Sequence, residues 1–228
     1  MKTIPSKMLL MWAIGLVLTL GGCGTTSSTV ASTNSSTTTS TVAQARSSNI
    51  VLNDQSVSIT QAGTYTLNGI ISNGQIIVDV WEGNGVRLQL AGVDITSKES
   101  SPILIKSGKA TIELVSGTSN TLTDGTYDEN ADENATIYAE EDLVIEWEGN
   151  LKINANGNDG ITSKDDLTIK SWNIEVQAAD DGIRGKDSLT IDGGKINVVA
   201  GGDGLKSDHE TKGTIVMNCL LYTSDAAD

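Results

Sequence analysis

The stretch Asn158-Asp-Gly-Ile-Thr-Ser-Lys-Asp-Asp-Leu-Thr-Ile169 recurs as Asp180-Asp-Gly-Ile-Arg-Gly-Lys-Asp-Ser-Leu-Thr-Ile191 and, in shortened form, as Gly202-Asp-Gly-Leu-Lys-Ser-Asp208. The copies are spaced 22 residues apart. A period of that length is typical of a repeat unit that cannot bury its apolar face alone and must stack on its neighbours. The sequence therefore predicts a solenoid whose coils are joined by Asp-Gly turns.

Each period contains three short runs that are typical of strands. In the second copy they are Gly182 to Gly185, Leu189 to Ile191 and Lys195 to Val199, with Gly and Asp between them. Apolar and polar residues alternate within the runs, which indicates half-buried strands. The same apolar types recur from coil to coil, as in the series Leu143, Leu167, Leu189 and the series Ile145, Ile169, Ile191, Ile215. We predict an all-β fold, a right-handed parallel β-helix with three short strands per coil of about 22 residues.

The pattern continues upstream with less regularity. Residues 135–145 match the repeat at a spacing of 24, and residues 102–112 match it before a long acidic stretch, Ser116 to Asn134. We interpret that stretch as an insertion between coils.

The N-terminal 23 residues have the features of a lipoprotein signal peptide. Lys2 and Lys7 precede an apolar run from Met8 to Leu20, which is short for a membrane span. The run ends in Leu20-Gly-Gly-Cys23, so we expect Cys23 to be the lipidated first residue of the mature protein. Residues 24–48 are rich in Ser and Thr and are interpreted as a flexible tether. The predicted location is outside the cytoplasm, anchored by lipid to the membrane and facing the exterior.

The predicted solenoid domain spans residues 49–218. The last ten residues, 219–228, resemble the translation of a transposase adapter used in sequencing libraries. We expect them to be a non-native tail and the domain to be truncated at its C-terminal end.

The charge of the chain restricts its partners. It has 29 acidic and 15 basic residues, a formal charge of −14. Nucleic acid binding requires clustered Lys and Arg, so this balance argues against it. It favours metal cations instead.

Residues 49–218 resemble the secreted carbohydrate-binding parallel β-helix family, whose members are fold relatives of pectate lyases and bind calcium. The resemblance rests on Gly63-Thr-Tyr65, Gly117-Thr-Ser-Asn-Thr-Leu-Thr-Asp-Gly125, the Asp-Gly-Ile repeats and Gly201-Gly-Asp-Gly-Leu-Lys-Ser207. The chain departs from the pattern at Ser171-Trp172, which replace the turn glycines present at Gly193-Gly194. The resemblance implies attachment to cellulose or to acidic plant polysaccharide such as pectin.

The aspartates of the repeat are candidate metal ligands. Stacked coils lie roughly 4.8 Å apart, so Asp159, Asp181 and Asp203 would form a column of carboxylates. Neighbouring charges at that distance repel by roughly 3.5 kcal/mol at an effective dielectric constant of 20. A Ca²⁺ ion removes this repulsion, and Asp180 and Asn158 stand beside the column to add oxygens. The alternative is that the aspartates are hydrated turn residues or ion-pair partners of lysines.

Aromatic and basic residues of the repeat are candidate sugar ligands. Trp147 and Trp172 fall at the turn between the second and third strands, and Arg184 and Lys206 follow their aspartates by three residues. Aromatic faces stack on sugar rings, and cationic side chains bind uronate carboxylates. The alternative is that the two tryptophans cover a turn and each other.

Three functions remain open from the sequence. The first is a non-catalytic, calcium-binding module for plant cell-wall polysaccharide. The second is a calcium-dependent polysaccharide lyase, in which Arg184, Lys186 or Lys206 would abstract a proton. The third is an adhesin that recognises other glycans.

Overall fold

The computed structural model describes residues 40–42, 47–81, 84–126, 132–218 and 220–226. These residues form strands and connecting turns. The strands are β1 Ser40–Val42, β2 Ser47–Asn53, β3 Val57–Ile59, β4 Gly63–Ile71, β5 Ile76–Asp79, β6 Gly85–Ser97, β7 Ile103–Ser107, β8 Lys109–Leu114, β9 Ser119–Asp124, β10 Ala135–Ala139, β11 Leu143–Ala155, β12 Asp159–Ser163, β13 Asp166–Ala178, β14 Ile183–Gly185, β15 Ser188–Ile191, β16 Gly194–Ala200, β17 Leu205–Lys206, β18 Thr214–Met217 and β19 Leu220–Ala226.

The strands stack into two parallel sheets. The first sheet has eight strands in the order β1-β3-β5-β7-β10-β12-β14-β17, and the second contains the strands that follow each of them in the chain. All registered pairs are parallel, and each strand pairs with its equivalent one level away. This arrangement confirms the predicted parallel β-helix.

The second sheet bends to supply two of the three faces of each coil. The long strands β6, β11 and β13 each cover both faces. Strand β11 pairs with β13 through both halves, with β8 through its first half and with β9 through its second half. At the next level the same path is divided into β15 and β16, which both pair with β13. The bend in β11 is a β-bulge between Trp147 and Asn150. Three strand segments per coil are therefore present, as the sequence predicts.

The core is a set of ladders of like side chains. Leu143, Leu167 and Leu189 are in register and fully buried, and Ile145, Ile169 and Ile191 form the adjacent ladder. Each such side chain contributes roughly 1.5–3 kcal/mol through burial. The ladders belong to one continuous cluster that runs from Leu52 to Ala200.

The interpretation of Ser116 to Asn134 as an insertion is wrong for its first part. Strand β9 pairs with β6 on one side and β11 on the other, so it is the third strand of a regular coil. Its inward positions include Asn120 and Asp124, which are buried polar residues. The apolar alternation that marks the other strands is therefore interrupted here.

The stack extends into both flanking segments of the predicted domain. Strand β1 lies within the segment predicted as a tether and pairs with β3. Strand β19 lies within the predicted non-native tail and pairs with β16. The predicted signal peptide and Cys23 lie outside the described residues. Within the described residues, no helix is long and apolar enough to cross a membrane.

Candidate functional site

The aspartates of the repeat stand where one coil enters the first sheet. Asp159 begins β12, and Asp181 and Asp203 occupy the equivalent turns of the next two levels. The backbone N–H of Asp181 donates to Asp159 Oδ1 at 3.2 Å, and that of Asp203 donates to Asp181 Oδ1 at 2.9 Å. Each carboxylate thus caps the turn of the following coil. This contact is a structural role in its own right.

Three carboxylates of this region form one compact group. Asp159, Asp180 and Asp181 each offer an oxygen, and these oxygens lie within 4.8 Å of one another. Asp159 is 2% exposed and Asp181 4% exposed, whereas Asp180 lies at the surface. The group therefore combines buried oxygens with an opening to solvent through Asp180.

This environment raises the pKa of Asp159. Burial is the largest cause of its rise from 3.8 to about 6, and the charges of Asp181 and Asp180 add to it. The hydroxyl of Thr162 donates to Asp159 Oδ2 at 2.9 Å and opposes the rise in pKa. Burial and the neighbouring negative charges destabilise the ionised form of Asp159. A cation placed among the three carboxylates would offset this repulsion and would therefore be bound favourably.

Asn158 supplies a further oxygen next to the group. Its side-chain Oδ1 is buried and has no hydrogen-bond partner among the described residues. Buried polar atoms are normally paired, with protein, water or an ion, so this oxygen has capacity for a ligand.

Lys206 extends into the aspartate column from the next level. Its Nζ donates to Asp181 Oδ2 at 2.6 Å and lies 3.8 Å from Asp203 Oδ2. The hydrogen bond to Asp181 is the largest cause of the raised pKa of Lys206. The structure thus brings this predicted sugar ligand together with a predicted metal ligand, while Asp203 remains largely exposed and outside the compact group.

Arg184 makes a bidentate contact with a carboxylate. Its Nε and Nη2 donate to Asp208 Oδ1 at 3.3 Å and Asp208 Oδ2 at 2.7 Å. The guanidinium therefore already has a planar partner of the kind that a uronate would offer.

Trp147 stands at the bulge of β11 in an unusual backbone conformation. Its φ is 82°, one of two positive values among the described residues other than glycine. Its side chain is 52% exposed, and Ser171 on the next level donates to its carbonyl oxygen at 3.0 Å. For a bulky residue this backbone region is strained, and such strain is concentrated at functional sites.

The exposed indole borders an open groove of about 470 Å³. Its other lining residues are Ser116, Glu146, Glu148 and Lys170. Sequence reasoning identified Trp147 but missed these four. The spacing of the repeat could have identified two of them, because Glu146 and Lys170 occupy equivalent positions on adjacent coils and are paired in the sheet. The backbone of Trp172 lies in β13, and its side chain lies outside the part of the chain that is described.

Comparison with known proteins gives three findings. A family model described as "Carbohydrate-binding domain-containing protein" matches residues 53–219. A protein of that description from Acetivibrio thermocellus is 43% identical over 133 residues, which is 56% of this chain and 46% of the relative, so the chain spans less than half of that protein's length. The solved structure of a polysaccharide lyase-like protein from C. thermocellum, a gadolinium derivative, superposes with a TM-score of 0.75 at 38% identity, covering 79% of this chain and 82% of that one.

Proposed function

Since the chain belongs to the family of carbohydrate-binding domain-containing proteins, we propose that it is a non-catalytic, calcium-binding module that attaches to plant cell-wall polysaccharide. The polysaccharides it would bind are cellulose and acidic pectin. The single observation that carries this proposal is the groove at Trp147, where an exposed aromatic face meets convergent polar and charged side chains.

The groove has the chemical components of a sugar site. The indole of Trp147 offers an apolar surface for the flat face of a pyranose ring. Glu146 and Glu148 can accept hydrogen bonds from ring hydroxyls. Lys170 supplies a positive charge for a uronate carboxylate.

The strain at Trp147 supports a role in binding. A glycine at this position would adopt the positive φ without steric conflict, as Gly193 and Gly194 do at the related turn two levels further on. The chain carries a large aromatic residue there instead, with about half of its surface in solvent. A purely structural role at this turn would not require a tryptophan.

Calcium binding is proposed at Asp159, Asp180 and Asp181, with Asn158 Oδ1 as an additional oxygen. Three carboxylates against one ammonium, that of Lys206, leave a surplus of negative charge at neutral pH. Ca²⁺ accepts about six to eight oxygens with flexible geometry and would remove the repulsion.

Asp203 is proposed as an outer ligand only. It lies largely in solvent and shares Lys206 with Asp181. It would reach the metal through water or after displacement of Lys206.

Lipid anchorage through Cys23 and an extracytoplasmic location remain part of the proposal. They rest on the sequence of the first 23 residues. Replacing Cys23 by Ser should release the protein from membranes into the soluble fraction, and membrane retention of that variant would contradict the anchor.

A lyase is favoured by the similarity to the solved polysaccharide lyase-like protein and disfavoured by the contacts of the basic residues. Arg184 is held by Asp208, and the contact with Asp181 keeps Lys206 protonated. A proton-abstracting base must be neutral, so neither of these two side chains is prepared for that step, and the third candidate, Lys186, lines a cavity with Asp208 and His209 instead. Incubation with polygalacturonate and Ca²⁺ should therefore give no unsaturated product that absorbs in the ultraviolet.

The proposal is tested by a pull-down with insoluble cellulose and with calcium pectate. The wild type should be retained, and Trp147→Ala should lose retention on pectate. Ile70→Ala is the matched control, because Ile70 is an apolar side chain of similar exposure on another coil. Equal retention of all three proteins would refute the groove as the sugar site. Binding on a glycan array to other sugars alone would favour the adhesin.

A further inference from the structure

A second exposed tryptophan lies outside the groove at Trp147. Trp81 follows β5 at the turn into β6, and its side chain is 84% exposed, the largest value among the large apolar side chains of the described residues. Single exposed apolar residues are common at protein surfaces. A binding role therefore requires further features around the ring.

Two hydrogen bonds from Asn84 contact the backbone of Trp81. The backbone N–H and the side-chain amide of Asn84 both donate to the carbonyl oxygen of Trp81, at 3.1 and 3.0 Å. Asn84 in turn accepts a hydrogen bond from the backbone N–H of Lys109 on the next level. The carbonyl oxygen of Trp81 is thus linked through Asn84 to the next level of the stack.

An open cavity of about 450 Å³ lies beside the ring. It is lined by Thr60, Asp79, Val80, Trp81 and Ser107. Thr60, Asp79 and Ser107 come from three consecutive levels, so the cavity extends over about 10 Å of the stack. An extended chain of sugar rings fits such a site better than a single small molecule does.

The polar groups of the cavity are suited to hydroxyl groups. The hydroxyl of Ser107 lies 2.8 Å from Asp79 Oδ1 and 2.6 Å from the carbonyl oxygen of Val80, and its single hydrogen is shared between these two acceptors. A carboxylate accepts about four hydrogen bonds, so Asp79 retains capacity for ligand hydroxyls. Thr60 adds a donor and an acceptor on the preceding level.

The charge of this cavity is the opposite of what a uronate needs. Among the described residues that line it, Asp79 is the charged one and no Lys or Arg is present. A uronate carboxylate would meet the charge of Asp79 without compensation. The groove at Trp147 also carries two carboxylates, those of Glu146 and Glu148, and it differs from this cavity by the presence of a cation, Lys170.

We infer that Trp81, Asp79, Ser107 and Thr60 form a second sugar subsite, which takes a neutral pyranose chain. Trp81 stands between the two sheets, whereas Trp147 stands two levels away at the bend of the second sheet. One sugar ring cannot contact both tryptophans. The inference rests on the proposed function, and it assigns neutral and acidic chains to different surfaces of the solenoid.

The test is isothermal titration of the whole chain with cellohexaose and, separately, with hexagalacturonate. Trp81→Ala should weaken cellohexaose binding by at least about tenfold and leave hexagalacturonate within about twofold. Trp147→Ala is the matched control and should show the reverse pattern. Asp79→Asn should weaken cellohexaose binding and strengthen hexagalacturonate binding, because it removes the repulsive charge.

The outcomes separate this inference from the proposed function. Wild-type binding to hexagalacturonate but not to cellohexaose would overturn the inference alone. Cellohexaose binding that is unchanged in both Trp81→Ala and Asp79→Asn would also overturn it. If Trp81→Ala bound neither cellohexaose nor hexagalacturonate while its circular dichroism was unchanged, the assignment of a neutral sugar chain to this subsite would be refuted. A wild type that binds neither ligand would overturn the proposed function as well.

Discussion

Replacement of Asp159 by Asn should stabilise the metal-free protein at neutral pH. In the folded state the pKa of Asp159 is raised from 3.8 to about 6, chiefly by burial. A group whose folded pKa is raised contributes stability below its unfolded pKa and loses that contribution as pH rises through its folded pKa. Each pKa unit corresponds to about 1.36 kcal/mol, and the unfolded group is already more than half ionised at pH 4, so the loss between pH 4 and pH 7 amounts to about 2 kcal/mol.

Asparagine has the shape of aspartate but does not ionise. Its Oδ1 can still accept from the backbone N–H of Asp181, and its amide can donate to the hydroxyl of Thr162. The difference in unfolding free energy between Asp159→Asn and wild type, without metal, should therefore grow by about 2 kcal/mol from pH 4 to pH 7.

Calcium should reverse the order of stability. At a concentration of 1,000 times the Kd it adds about 4.1 kcal/mol to the wild type, and the variant should gain little because it has lost a ligand. The assay is urea unfolding in EDTA and in Ca²⁺ across this pH range. Asp94→Asn, which removes the same charge from an exposed position three levels away, is the control.

Two results would refute this reasoning. A stability difference that does not change with pH would mean that Asp159 titrates normally. Equal calcium stabilisation of wild type and Asp159→Asn would remove this carboxylate from the metal site.

Three further predictions concern the surroundings of the two sites. Lys206→Met should increase calcium affinity in isothermal titration, because the ammonium that contacts Asp181 at 2.6 Å no longer competes with the cation, and decreased affinity would contradict this. Trp147→Gly should unfold with a free energy about 1 kcal/mol higher than Trp147→Ala, since only glycine is relaxed at the observed φ of 82°, and equal stability would show that the strain is absent. Glu113→Gln should lower the free energy of urea unfolding by about 1–3 kcal/mol, because the buried carboxylate is held by Arg87 and Gln89, and an unchanged midpoint would contradict that role.

The fold could be predicted because its core repeats one residue type at each position. Leu167 and Leu189, and likewise Ile169 and Ile191, are one period apart in sequence and in register in space. Strand β9 could not be recognised in the same way. Asn120 occupies an inward position and satisfies its buried amide by accepting from the backbone N–H groups of Gly92 and Val93, a pairing with no counterpart in the apolar pattern.

The candidate site was predictable in its backbone and not in its side-chain contacts. The period of 22 residues places Asp159 and Asp181 on adjacent levels, and the structure brings them together with Asp180. The contact of Lys206 with Asp181 depends on a long side chain that extends back toward the previous level. Sequence spacing does not determine such a rotamer, and it assigned Lys206 to the sugar surface instead.

Trp81 was missed for a related reason. It precedes the regular copies of the repeat and has no equivalent in them, so the period gives it no significance. Its exposure and the cavity beside it are properties of the folded chain alone.

A crystal structure of the protein with Ca²⁺ and trigalacturonate tests the central claim most directly. The account predicts a cation bound by Asp159, Asp180 and Asp181, and a sugar ring stacked on the indole of Trp147 with its carboxylate at Lys170. A saturated crystal in which both positions hold only water would contradict it.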